Sequence, residues 1–184
     1  STIFHPQGGG QPADVGTLTS TTTGAVFNVT MVTHGGPNHP TGTILHIGTF
    51  NDSTVTSFDQ NDTVSMVVDE KNRRACARSH SAGHLLDQAM IKAGMNMKGL
   101  KGYHFLKGSY VEFDGSVPAP ERQPLKEKLQ LYVNELISEN IPTNVIWVRV
   151  KIIQKLNVLY RFIETFDGTS NICNIFLLSS YFFS

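Results

Sequence analysis

Apolar and polar positions follow two different periods along this chain, and the change comes near Asp69. Before it, Phe27, Val29 and Met31 alternate with Asn28, Thr30 and Val32, close to the period of two of a half-buried strand. Residues 44–47 and 64–68 read as further strands. The polar run 17–24 (TLTSTTTG) reads as a turn, and Gly35, Gly36, Pro37 and Pro40 enforce a loop. Short strands joined by Gly- and Pro-rich turns predict a small β-barrel or curled sheet over residues 1–69. After Asp69 the spacing turns helical. Leu85, Leu86, Ala89, Met90 and Ala93 predict a helix over 73–93, with Gly94 as its stop. Residues 103–113 return to strand texture. Pro118, Pro120 and Pro124 then lead into a second helix carrying Leu125, Leu129, Tyr132, Val133, Leu136 and Ile137, which Asn140 and Pro142 end. Residues 145–148 suit a buried strand. The predicted class is α+β.

Residues 149–184 are rich in Ile, Leu, Phe and Asn and end in the uncharged, apolar FLLSSYFFS. Such a segment either closes a core or is an aggregation hazard. Of the 184 residues, 40% are apolar, enough for a real core, and two cysteines exclude a disulfide-stapled scaffold. No run reaches the roughly 18 apolar residues of a membrane span. The formal net charge of zero hides an asymmetry. Residues 1–70 hold no Lys or Arg, whereas residues 71–110 hold eight bases against one acid, Asp87. That block reads either as a solvated helix face or as a surface for a polyanion.

Two constellations carry chemistry. His80-Ser-Ala-Gly-His84 sets two imidazoles on one face of a helix, since positions i and i+4 differ by about 40° around its axis. This spacing presents two nitrogens to a zinc ion, or it is a chance pair; Ser81 excludes the zinc-protease pattern HExxH. The second constellation is Gly8-Gly9-Gly10-Gln11-Pro12. Three glycines permit positive φ and let a ligand lie on backbone N–H groups, or they make a tight turn. Neither a GK[ST] nor a GxGxxG phosphate loop is present.

The two motifs occur in order, with TIFHPQGGGQPADVG at 2–16, DTVSMVVDEKNRR at 62–74, RSHSAGHLLDQAM at 78–90 and KGYHFLKGSYVEFDG at 101–115. Together they resemble the alanyl-tRNA editing proteins (AlaX) and the editing domain of alanyl-tRNA synthetase, the second additional domain shared with threonyl-tRNA synthetase. The resemblance covers residues 1–148. It implies a β-barrel domain (1–69) followed by an α+β editing domain (70–148), its HxxxH helix packed on an antiparallel sheet. The implied activity is hydrolysis of mischarged tRNA, chiefly Ser-tRNA(Ala), with Gly-tRNA(Ala) as a second substrate. His80 and His84 would hold one Zn²⁺. Thr2, Gly8, Gly9, Gly10 and Gln11 would line the pocket, and Arg73, Arg74, Lys98, Lys101 and Lys107 would face tRNA(Ala). Reading a serine hydroxyl suits such a site, because polar groups aimed at a hydroxyl reject an analogue lacking it. The implied compartment is the cytoplasm, with an organelle left open, and neither membrane nor obligate protein partner is implied.

The chain departs from the family where the second ligand pair, Cys-x-x-x-His, should follow the strand near Val148. Cys173 has Leu177 in the partner position, and no histidine follows His104. Residues 149–184 are therefore expected to be foreign to the family, the strand before Thr2 is missing, and weak or absent activity is expected. A stripe of Cys76, His80 and His84 along one helix runs lengthwise instead of surrounding a metal, so Cys76 is expected to pack. Two further readings stay open, a non-catalytic RNA-binding module and a fragment of alanyl-tRNA synthetase.

Overall fold

The computed structural model describes residues 1–140 and the backbone of three later strands. The described chain is α+β. It divides into two compact units, Ser1–His80 with Tyr103–Ser109, and Ser81–Gly102 with Tyr110–Ser184.

The first unit is built on strands β1 (Gly16–Ser20), β2 (Val26–His34), β3 (Ile44–Phe50) and β4 (Val64–Val68), paired antiparallel in the order β3-β2-β1-β4. The strands form a sheet with β3 and β4 at its edges; among the described residues no pairing joins them, so the expected barrel closure is not found. The register shifts between Val29 and Met31, a bulge that bends β2. Gly48 is required opposite it, because a Cβ there would lie 1.8 Å from the Asn28 carbonyl oxygen.

The run 17–24 is only half a turn. Residues 17–20 form β1 between β2 and β4, and the turn is confined to residues 21–24. Threonine's branched Cβ favours extended backbone, and neighbours on both sides satisfy the strand. The Ser20 hydroxyl accepts the N–H groups of Thr22 (3.2 Å) and Thr23 (3.0 Å), which turns the chain. Leu18, Val29 and Val32 form the core with Phe4 and Ala13, and Phe27, Ile44, Phe58, Met66 and Val68 pack around them.

Helix α1 (Glu70–Lys92) begins three residues earlier than its apolar spacing predicts, because Asp69 caps it: its Oδ1 accepts the Asn72 N–H at 2.9 Å. Its end is the predicted one. Gly94 sits at φ +80°, the Met95 N–H reaches Met90 O and the Gly94 N–H reaches Ile91 O, each at 2.9 Å, a Schellman ending.

The predicted strand 103–113 is two strands, β5 (Gly99–Tyr103) and β6 (Tyr110–Phe113), separated by the loop 104–109, which belongs to the first unit and has Gly108 at φ +75°. Helix α2 (Ala119–Ser138) starts before Pro124 and contains it. Pro120 falls in the first turn, where the missing N–H costs nothing. The α1 terminus is tied to α2 by Lys92 Nζ on Glu135 Oε2 (2.8 Å) and by Lys128 Nζ on Ala93 O (3.1 Å). The backbones of β7 (Thr143–Arg149), β8 (Ile163–Glu164) and β9 (Ile172–Leu178) make an antiparallel sheet ordered β7-β9-β8, with Val148 opposite Cys173. The rest of 149–184 lies outside the described residues. No helix among the described residues is long and apolar enough to cross a membrane.

Candidate functional site

The glycine run makes a two-residue hairpin. Gly8 and Gln11 exchange both backbone hydrogen bonds (3.2 and 2.9 Å), and Gly9 and Gly10 form the tip at φ +55° and +77°. Positive φ at both central residues is the primed turn that a twisted hairpin needs, and it explains why glycine occupies both places. The N–H groups of Gly9 and Gly10 lie outside the hairpin's own pair.

Gln11 leaves this hairpin with its Oε1 2.9 Å from His80 Nδ1. An amide oxygen only accepts, so Nδ1 carries the hydrogen in this bond. The two motifs found 70 residues apart in the sequence are thus joined by one hydrogen bond. On the other side, the His104 ring stacks on His80, with centroids 4.4 Å apart and planes within 18°. His104 is buried, and its backbone N–H donates to Gly10 O at 2.8 Å. His84 follows one turn later on α1 and is half-buried.

A second cluster anchors the same segment. The Asp14 carboxylate, 2% exposed, accepts from Arg73 Nε (3.0 and 3.1 Å), from the Arg73 guanidinium NH2 and from the His5 N–H. Arg73 also donates to Ile3 O at 2.6 Å, and the paired carboxylate pushes the guanidinium pKa still higher. Arg74 pairs with Glu70 one turn back on the exposed face of α1. Both arginines are thereby engaged within the protein, whereas Lys98, Lys101 and Lys107 are exposed.

Thr2 has partners of its own. Its Oγ1 lies 2.8 Å from His46 Nε2 and accepts the Phe4 N–H at 3.1 Å, with the Phe4 ring edge-on to His46. Burial pushes the His46 imidazole below its ordinary pKa. Cys76 is 3% exposed, burial raises its thiol pKa, and its Sγ faces Asn72 Oδ1 at 4.0 Å. It packs, as expected.

A structural zinc ion needs four donors, and a catalytic one three, converging at about 2.0–2.3 Å. Among the described residues no group of three His, Cys, Asp or Glu side chains is arranged to hold a metal. His104 does not complete one, since near-parallel rings point their in-plane lone pairs side by side instead of at a common centre.

Sequence spacing singles out neither His104 nor Asp14. Each has a faint signal: His104 stands inside the Tyr-His-Phe of the 101–115 motif, and Asp14 follows the glycine hairpin as the first acid of the chain.

Comparison with known proteins places the chain first in a class, proteins related to the tRNA ligases. Within that class the relatives are alanine–tRNA ligases. The enzyme of Leuconostoc citreum is 27% identical over 177 residues, 95% of this chain and 18% of the relative. That of Desulfosudis oleivorans is 31% identical over 152 residues, 76% of this chain and 15% of the relative. That of Clostridioides difficile is 32% identical over 122 residues, 66% of this chain and 11% of the relative. The chain is related by sequence to the alanine–tRNA ligases, and it spans less than a fifth of the length of these three. The Leuconostoc match reaches into the 149–184 segment. No family model matches the chain.

Proposed function

We propose that this chain is an editing module of alanyl-tRNA synthetase type, which binds the aminoacylated 3′ end of tRNA(Ala) and hydrolyses the ester of Ser-tRNA(Ala). The observation that carries this reading is the Gln11–His80 hydrogen bond, which joins the glycine hairpin to the histidine helix. It is supported by the sequence relation to alanine–tRNA ligases. In this reading Gln11 holds His80 in one tautomer, and Nε2 takes the proton from a water that attacks the ester carbonyl. The N–H groups of Gly9 and Gly10 offer donors to the developing oxyanion. Thr2 and its partner His46 supply the polar contact to the substrate hydroxyl, and Lys98, Lys101 and Lys107 attract the tRNA backbone. The place of action is the cytoplasm.

Zinc bound through His80 and His84 is part of the family expectation, but the described residues do not complete its ligand set, and the steps above are derived without it. The sequence, in which no histidine follows His104 to supply the family's second ligand pair, favours a second reading, a tRNA-binding module without catalysis. Deacylation of Ser-tRNA(Ala) by the purified chain, compared with His80→Ala, separates the two. Activity above background that falls 10²-fold or more in the variant supports the hydrolase, at the scale of a lost general base. Equal background rates with tRNA binding retained support the binding module.

A further inference from the structure

We propose that His104 is a positioning residue for His80: its imidazole lies flat against the His80 ring and keeps Nδ1 toward Gln11. The hydrogen bond between Nδ1 and Gln11 fixes one direction, and a half-turn of the ring would exchange Nδ1 with a carbon. A flat surface 4.4 Å away, tilted by only 18°, resists that rotation along its course.

His104 is itself held fast. It is 5% exposed, and its N–H is bound to Gly10 O at 2.8 Å. The hairpin that offers the Gln11 oxygen to one edge of His80 therefore also anchors the ring lying against its face. The loop that carries His104 is fastened a second time. The Ser109 hydroxyl donates to Phe105 O and lies 3.0 Å from the hydroxyl of Ser79, the residue just before His80. Hairpin, loop and helix thus meet on one imidazole within the first unit. The argument needs only a flat ring at position 104, whatever its charge.

This proposal takes from the functional reading only that His80 is the working imidazole, and its test does not depend on that reading. The chain is labelled with ¹⁵N, and the imidazole nitrogens of His80 are read by long-range ¹⁵N–¹H correlation at one neutral pH. Four chains are compared: wild type, His104→Phe, His104→Leu and Gln11→Leu. Phenylalanine keeps the flat face, whereas leucine keeps apolar bulk without it. Wild type and His104→Phe are expected to show His80 with the hydrogen on Nδ1. His104→Leu is expected to move toward a mixture of tautomers, as is Gln11→Leu. Where the wild type deacylates Ser-tRNA(Ala), His104→Leu should lower kcat about 10-fold with KM within twofold, and His104→Phe should restore it. A His80 spectrum unchanged in His104→Leu overturns the proposal, as does one in which Phe and Leu have the same effect. A wild type without deacylase activity but with the tautomer pattern intact refutes the proposed function and upholds this inference.

Discussion

Asp14 is held by more partners than any other acid in the first unit, and all of them are spent on structure. A carboxylate this far from water is tolerable only with its charge answered at close range, and Arg73 answers it through two nitrogens. Arg73 is consequently a fixture of the fold before it is anything else, a role that the local excess of positive charge could not reveal. His46 invites a pH experiment. Its folded pKa lies below the ordinary 6.5 because burial disfavours the charged ring. As pH falls through 6.5 the unfolded chain takes up this proton first, so the folded state loses stability with acid and keeps it above. Denaturation midpoints measured at pH 7.5 and 5.5 should fall further for wild type than for His46→Phe. Equal falls would mean that His46 titrates alike in both states.

Among the elements, the hairpin of residues 8–11 shows most directly how local backbone chemistry makes a site. An L side chain at φ +77° is strained by about 1–2 kcal/mol, so Gly10→Ala should lower stability by that amount and disturb Gln11 beside it. Gly8 has no positive φ and open space around its Cβ position, so Gly8→Ala should be close to neutral. Thermal melts of the two variants give the contrast. The glycine motif and the His-x₃-His motif are legible in the sequence because each depends on neighbours within a few residues. So are β2, β4 and both helices, whose apolar periods are strong. β1 is not, since a run of threonines becomes a strand only when β2 and β4 flank it. Whether the sheet closes is also hidden, because strand texture is the same whether β3 and β4 meet or stay apart. His104 cannot be found from spacing, as its stack on His80 arises from a loop that returns to the helix 24 residues later.

For the whole molecule, the positive charge is less available than its count suggests. Three of the eight bases between 71 and 110 are matched by acids from outside that block, Arg73 by Asp14, Arg74 by Glu70 and Lys92 by Glu135. Polyanion binding should therefore rest on the exposed lysines. Neutralising Lys98, Lys101 and Lys107 together should flatten the slope of log K against log salt for tRNA by about 2–3, given roughly 0.7–0.9 per phosphate contact. Filter binding across a salt series measures it, and an unchanged slope would place the RNA elsewhere. The texture of the sequence changes at Asp69, and the first compact unit comprises Ser1–His80 with Tyr103–Ser109. A scissor placed at that apparent seam would orphan a carboxylate from its guanidinium and an amide from its imidazole. Anyone transplanting this portion into another protein must therefore carry the opening turns of the helix along with the strands.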